Sequence, residues 1–147
     1  MEYSQQQVRR AIGIGTETIR YWKRALSPLA GKAGKAVAFS AGEILALTIV
    51  NILVRSYRMD ISVIAPIANP LFEVCRQPLR FSRHPTFLWI DLDAPSLALV
   101  TELQRVPTDR LCLVVPVSCL WQQISESLTA TDRSGEQQEL LPLASVR

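Results

Sequence analysis

The sequence predicts an α+β chain in two parts: an N-terminal winged helix-turn-helix, mostly α with a small β wing, and a small α+β C-terminal module. Three observations carry this expectation. Thr16-Glu17-Thr18-Ile19-Arg20-Tyr21-Trp22-Lys23-Arg24 follows a glycine-broken turn, and Ile19, Trp22 and Leu26 fall on one helical face. A glycine- and lysine-containing stretch, Leu29 to Phe39, comes next and has the make-up of a tight hairpin. Two β-branched and aromatic runs, Thr86 to Leu92 and Leu111 to Val117, then stand in the second half as strand candidates.

In chain order, Ser4 with Gln7 three residues later forms a capping-box pattern, and Val8, Ala11 and Ile12 give the first helix its buried stripe. Gly13-Ile14-Gly15 stops that helix, and Thr16 is expected to cap the second. Gly31, Lys32, Gly34 and Lys35 lead into the extended-looking Ala36-Val37-Ala38-Phe39, the expected wing. Ser40 and Glu43 repeat the capping box and open a third helix, apolar on most sides from Ile44 to Val54, which therefore needs cover on several faces. Asp60 or Ser62 opens a fourth helix running to about Gln77, with Pro66 and Pro70 bending its early part.

The division that follows is residues 1–77 as the winged domain, 78–85 as a proline-punctuated linker and 86–147 as the second module. Between the two strand candidates, Ser96 to Val106 fits either a strand or a helix. Ser118 is expected to cap a last helix carrying Leu120, Trp121, Ile124 and Leu128, and from Thr129 a polar, mobile tail is expected.

Charge separates the halves. Residues 1–80 hold eleven Lys or Arg against five Asp or Glu, whereas residues 81–147 hold five against eight. A front at +6 suits a polyanion, and a rear at −3 suits a protein partner or self-association. No apolar leader follows Met1, and Ile44 to Val54 is too short to span a bilayer, so a cytoplasmic protein is expected. Cys75, Cys112 and Cys119 lack paired zinc-site spacing and read as free buried thiols. His84 has no evident nucleophile or metal partner, and Gly13-Ile14-Gly15 lacks the preceding strand and third glycine of a dinucleotide loop. The expectation is therefore no enzyme, no metal and no cofactor.

Over about residues 3–77 the pattern resembles the MerR family of transcription regulators. The pieces that carry the resemblance are Tyr3-Ser4 with Val8, the Gly13-Ile14-Gly15 turn and Thr18-Ile19-Arg20-Tyr21-Trp22. Leu26 with Pro28, Phe39-Ser40, and Glu43-Ile44-Leu45 with Ile49 complete it. The resemblance implies that the second helix enters the major groove of double-stranded DNA and that two copies bind a two-fold operator. The expected DNA contacts are Thr16, Glu17, Thr18, Arg20, Tyr21, Lys23 and Arg24 on that helix, with Lys32 and Lys35 on the wing. No long heptad-patterned helix follows residue 77, so self-association is assigned to residues 81–147, where a further protein partner is the other possibility. The function expected is a homodimeric repressor or autoregulator. The alternative is a DNA-architectural or packaging adaptor of the excisionase or terminase-small-subunit kind.

Overall fold

The computed structural model describes residues 1–32, 38–107 and 109–139, with residues 131–139 as backbone only. The architecture is mixed α and β. Strand β1 (Glu2–Ser4) leads into helix α1 (Gln5–Ile12), a three-residue turn and helix α2 (Thr16–Ala25). After a 3-10 turn at Ser27–Leu29 come β2 (Ala38–Ser40), α3 (Ala41–Arg55) and α4 (Ile61–Cys75). A second 3-10 segment, Pro78–Ser82, precedes β3 (Phe87–Asp91), β4 (Ser96–Val100), β5 (Leu113–Val115) and α5 (Val117–Glu139).

Local chemistry explains most boundaries. Ser4 Oγ accepts the Gln7 amide at 3.3 Å while Gln7 Oε1 accepts the Ser4 amide at 2.8 Å, and Ser40 and Glu43 repeat the exchange at 3.2 and 2.8 Å. Both expected capping boxes are thus formed, each satisfying two amide donors that a helix start leaves free. Gly13 adopts φ 74°, a left-handed conformation that suits glycine, and its amide donates to Arg9 O to end α1. Gly15, not Thr16, occupies the N-cap of α2, so Thr16 begins the helix. Asp60 caps α4 by accepting the Ser62 amide at 2.8 Å. That helix runs through Pro66 and Pro70 but stops at Cys75, short of Gln77.

Other expectations are corrected by packing. β2 pairs antiparallel with β1, Tyr3 opposite Phe39, and residues 27–29 are helical, while residues 33–37 of the expected hairpin lie outside the described residues. The expected linker is a packed segment, because Pro78 and Phe81 are buried and the 3-10 turn lies against α5. Ser118 is not a cap. It lies inside α5, where its hydroxyl oxygen accepts the Thr86 amide at 2.6 Å and its proton is directed at the His84 and Thr86 carbonyls. The polar stretch from Thr129 continues α5 as helix to Glu139. The ambiguous segment divides, a strand to Val100 and then a 3-10 turn at Leu103–Arg105.

The C-terminal sheet has the order β4-β3-β5, antiparallel throughout, with Trp89 opposite Ala98 on one side and Val114 on the other. It does not stand apart from the helices. β4 packs on α4, α5 packs on α1 and α3, and one buried apolar cluster runs from Val8, Ile19 and Trp22 through Ile44, Leu47 and Ile64 to Leu88, Ile90 and Trp121. Of the three thiols expected inside, Cys75 is buried, and burial raises it to about 12, which keeps it neutral; Cys112 is half-buried and Cys119 exposed. Among the described residues, no helix is long and apolar enough to cross a membrane.

Candidate nucleic-acid interface

The helical period sets what α2 shows to solvent. Ile19 and Trp22 are buried and Leu26 follows them inward, so Glu17, Arg20, Tyr21 and Arg24 are exposed and Thr16, Thr18 and Lys23 flank them at intermediate depth. Arg20 Nη1 donates to Glu17 Oε1 at 2.7 Å, an i, i+3 pair whose side chains are 63% and 82% exposed. A pair so exposed is screened and contributes little to stability, so Arg20 stays available to a stronger anion.

Beside α2 lies an open cleft of about 1020 Å³. Arg9 and Arg10 of α1, Arg20, Lys23 and Arg24 of α2, and Lys32 line it together with Gln5, Gln6, Ile14, Leu29 and Ala30. Among the described residues, no carboxylate and no aromatic ring is in this lining. Of the residues expected from sequence, the cleft gathers Arg20, Lys23, Arg24 and Lys32. Thr16, Glu17, Thr18 and Tyr21 belong to the same helix but not to the cleft wall, and Lys35 lies outside the described residues.

Two of the gathered lysines are engaged within the fold. Lys23 Nζ donates to Gln5 Oε1 at 2.6 Å and stands 5.6 Å from the centre of the Phe39 ring. Lys32 Nζ is 5.0 Å from the same ring, donates to Ala38 O at 2.6 Å and pairs with Glu43 at 3.0 Å. Partial burial, and then the neighbouring Lys32 charge, hold the Lys23 pKa below the ordinary lysine value. Lys32 is thus a brace between the start of the loop and α3 rather than a freely projecting wing cation.

Sequence reasoning passed over the α1 side of the cleft. Arg9 and Arg10 were visible as adjacent cations in the last turn of a short helix, where the carbonyl end of the helix favours positive charge. Arg9 also donates from Nε to Ile14 O at 3.4 Å, which ties the wall of the cleft to the turn between α1 and α2. Among the described residues, no group of three His, Cys, Asp or Glu stands together as metal ligands. No protein-family model and no curated protein matches the chain.

Proposed function

We propose that the chain is a sequence-specific, double-stranded-DNA-binding transcription regulator of the winged helix-turn-helix kind, working as a homodimer on a two-fold operator. The observation that supports this most is the convergence of six cations, Arg9, Arg10, Arg20, Lys23, Arg24 and Lys32, on one open cleft in whose wall, among the described residues, no carboxylate stands, although Glu17 and Glu43 pair with Arg20 and Lys32 from outside it. Such a surface attracts a polyanion and releases the counterions condensed on it. A duplex is favoured over single strands because, among the described residues, no aromatic ring lines the cleft and the exposed Tyr21 of α2 stands outside its wall. DNA is favoured over double-stranded RNA because α2 presents Arg20, Tyr21 and Arg24 from a helix, a shape that the B-form major groove admits and the A-form groove does not.

In this reading α2 reads base edges, Arg9 and Arg10 hold the adjacent phosphates, and Lys23 and Lys32 chiefly keep the wall in shape. Fluorescence anisotropy on duplex and single-stranded probes over a salt series tests it. Duplex should bind more tightly, with log affinity falling linearly against log salt at a slope of about −0.9 per phosphate engaged. Equal binding to single strands, or no salt dependence, rejects the reading. Genome-wide footprinting then separates a regulator, with one short inverted repeat strongly preferred, from an architectural adaptor that needs clustered sites.

A further inference from the structure

A second recess, of about 180 Å³, shares no lining residue with the cationic cleft and lies between α3, β5 and the first turns of α5. Ile49 and Leu53, each 1% exposed, carry its floor down to the buried cluster, and Leu120 closes one side. Among the described residues no charged side chain lines it. Its polar side chains are the Tyr57 phenol, the Gln123 amide and the Cys119 thiol, none of which has a hydrogen-bond partner among the described residues. Tyr57 is set at the mouth by the way α3 ends. The Ser56 amide donates to Ile52 O at 2.9 Å and the Met59 amide to Leu53 O at 3.1 Å, while Arg58 takes the left-handed φ of 56°.

We propose that this recess is a binding site for one neutral small molecule, a single aromatic or alicyclic ring carrying one hydroxyl or comparable hydrogen-bonding group. Size, charge and polarity each point there. An apolar cavity of about 150 Å³ accepts benzene, so 180 Å³ admits one ring with a small substituent. A charged molecule would leave water for a wall that offers it no counter-charge, which is costly. The ring would lie on Ile49, Leu53 and Leu120, and its hydroxyl would meet Tyr57 and Gln123, each able both to donate and to accept. An apolar pocket with a few converging polar groups is the usual form of a small-molecule site. A recess this small is only a fraction of the roughly 800 Å² that each side of a stable protein interface buries, so a macromolecular occupant is disfavoured.

The test uses p-cresol on the full chain, with Cys119 as the built-in reporter. Calorimetry should show one saturable site with a Kd of about 1 mM or tighter. The same p-cresol concentrations should slow iodoacetamide alkylation of Cys119 but not of Cys112, which is outside the lining; fragment-ion mass spectrometry reads the two thiols separately. 4-Hydroxybenzoate, the same ring with a carboxylate, should leave Cys119 unprotected. Tyr57→Phe and Gln123→Ala should each weaken p-cresol about 3- to 10-fold, the effect of one lost hydrogen bond, and leave toluene affinity unchanged. Cys119→Trp, which fills the recess from an exposed position, should abolish binding with an unchanged far-UV circular dichroism spectrum.

No saturable binding, or binding that leaves Cys119 open to alkylation, overturns the proposal. So does Cys119 protection that rises with protein concentration in the absence of p-cresol, which would mean that a second copy fills the recess. Equal losses for toluene and p-cresol in Tyr57→Phe and Gln123→Ala overturn the hydroxyl recognition assigned to those two side chains. None of these measurements involves DNA, so a failure here and a failure of the DNA-binding reading are distinguishable.

Discussion

Lys32 and Glu43 meet at 3.0 Å across the foot of the loop that follows α2, each side chain only about a quarter exposed. The same Glu43 closes the capping box of α3 through its 2.8 Å bond from the Ser40 amide, so one carboxylate both starts a helix and anchors a lysine. Lys32→Ala should therefore lower stability by about 1.5–3 kcal/mol, the range for a lost hydrogen bond to a charged group. Its effect on DNA affinity at equal fraction folded should be small. Arg10→Ala should do the reverse, leaving the midpoint of urea unfolding in place and reducing the salt slope by roughly one counterion. If Lys32→Ala weakens DNA binding without moving the unfolding midpoint, the brace assigned to Lys32 is wrong.

Arg20 and Arg24 offer the sharper test of base reading. Both are exposed, and among the described residues Arg20 has one ion-pair partner, Glu17, in a solvent-screened pair. Arg20→Ala and Arg24→Ala should each cost about 1–3 kcal/mol on the preferred duplex, the worth of a lost bidentate base contact, and almost nothing on random duplex. Glu17→Gln removes the acid beside Arg20 and should raise affinity for random duplex at low salt. Anisotropy at fixed salt reads all three, and uniform losses across sequences would mean that α2 touches only phosphates.

The helices and both capping boxes were legible in sequence because each rests on a short-range code: a hydroxyl and a carboxyl or amide three residues apart, then apolar side chains at three- and four-residue spacing. Pairings set by distant residues were not. Nothing local to Ala38 and Phe39 says that their partner is Tyr3 rather than a neighbouring hairpin arm. Likewise Pro78 to Ser82 has linker composition, yet Phe81 is drawn into the core by α5, more than thirty residues downstream in sequence. The cationic cleft was half legible. The α2 cations stood out by their face, whereas Arg9 and Arg10 joined them only once the Gly13 turn had set α1 beside α2.

Gly42 is another position whose role emerges only in three dimensions. It is the second residue of α3, where alanine should gain about 1 kcal/mol of helix propensity. A Cβ there, however, would collide with the Cys75 carbonyl oxygen and stand 2.9 Å from Arg76 Cα, both backbone atoms at the end of α4. Gly42→Ala should therefore destabilise by about 1–3 kcal/mol, the cost of overpacking a site that cannot yield by rotamer change. A chemical-denaturation series settles the sign, and a stabilised variant would mean that α3 and α4 do not approach so closely.

Acid sensitivity should centre on the sheet hairpin. Asp91 is 2% exposed; its Oδ1 accepts the Asp93 and Ala94 amides at 3.0 and 3.1 Å, and its Oδ2 accepts Arg110 Nη1 at 3.0 Å. The Ala94 amide first, then the Arg110 guanidinium, hold the carboxyl below the ordinary aspartate value and outweigh the opposing effect of burial. The folded pKa is therefore lower than the unfolded one, near 3.9, so this contribution is fully present above that value and is lost as pH falls through the folded pKa. Asp91→Asn keeps the side-chain size and the amide acceptor but removes the charge. It should be less stable than wild type at pH 7, and the gap should narrow steadily below about pH 4 as the wild-type carboxylate takes up its proton. Urea unfolding of both proteins at neutral and acid pH measures the gap. A difference that is constant from pH 7 to pH 3 would show that Asp91 acts through shape alone and that its charge contributes nothing to the hairpin.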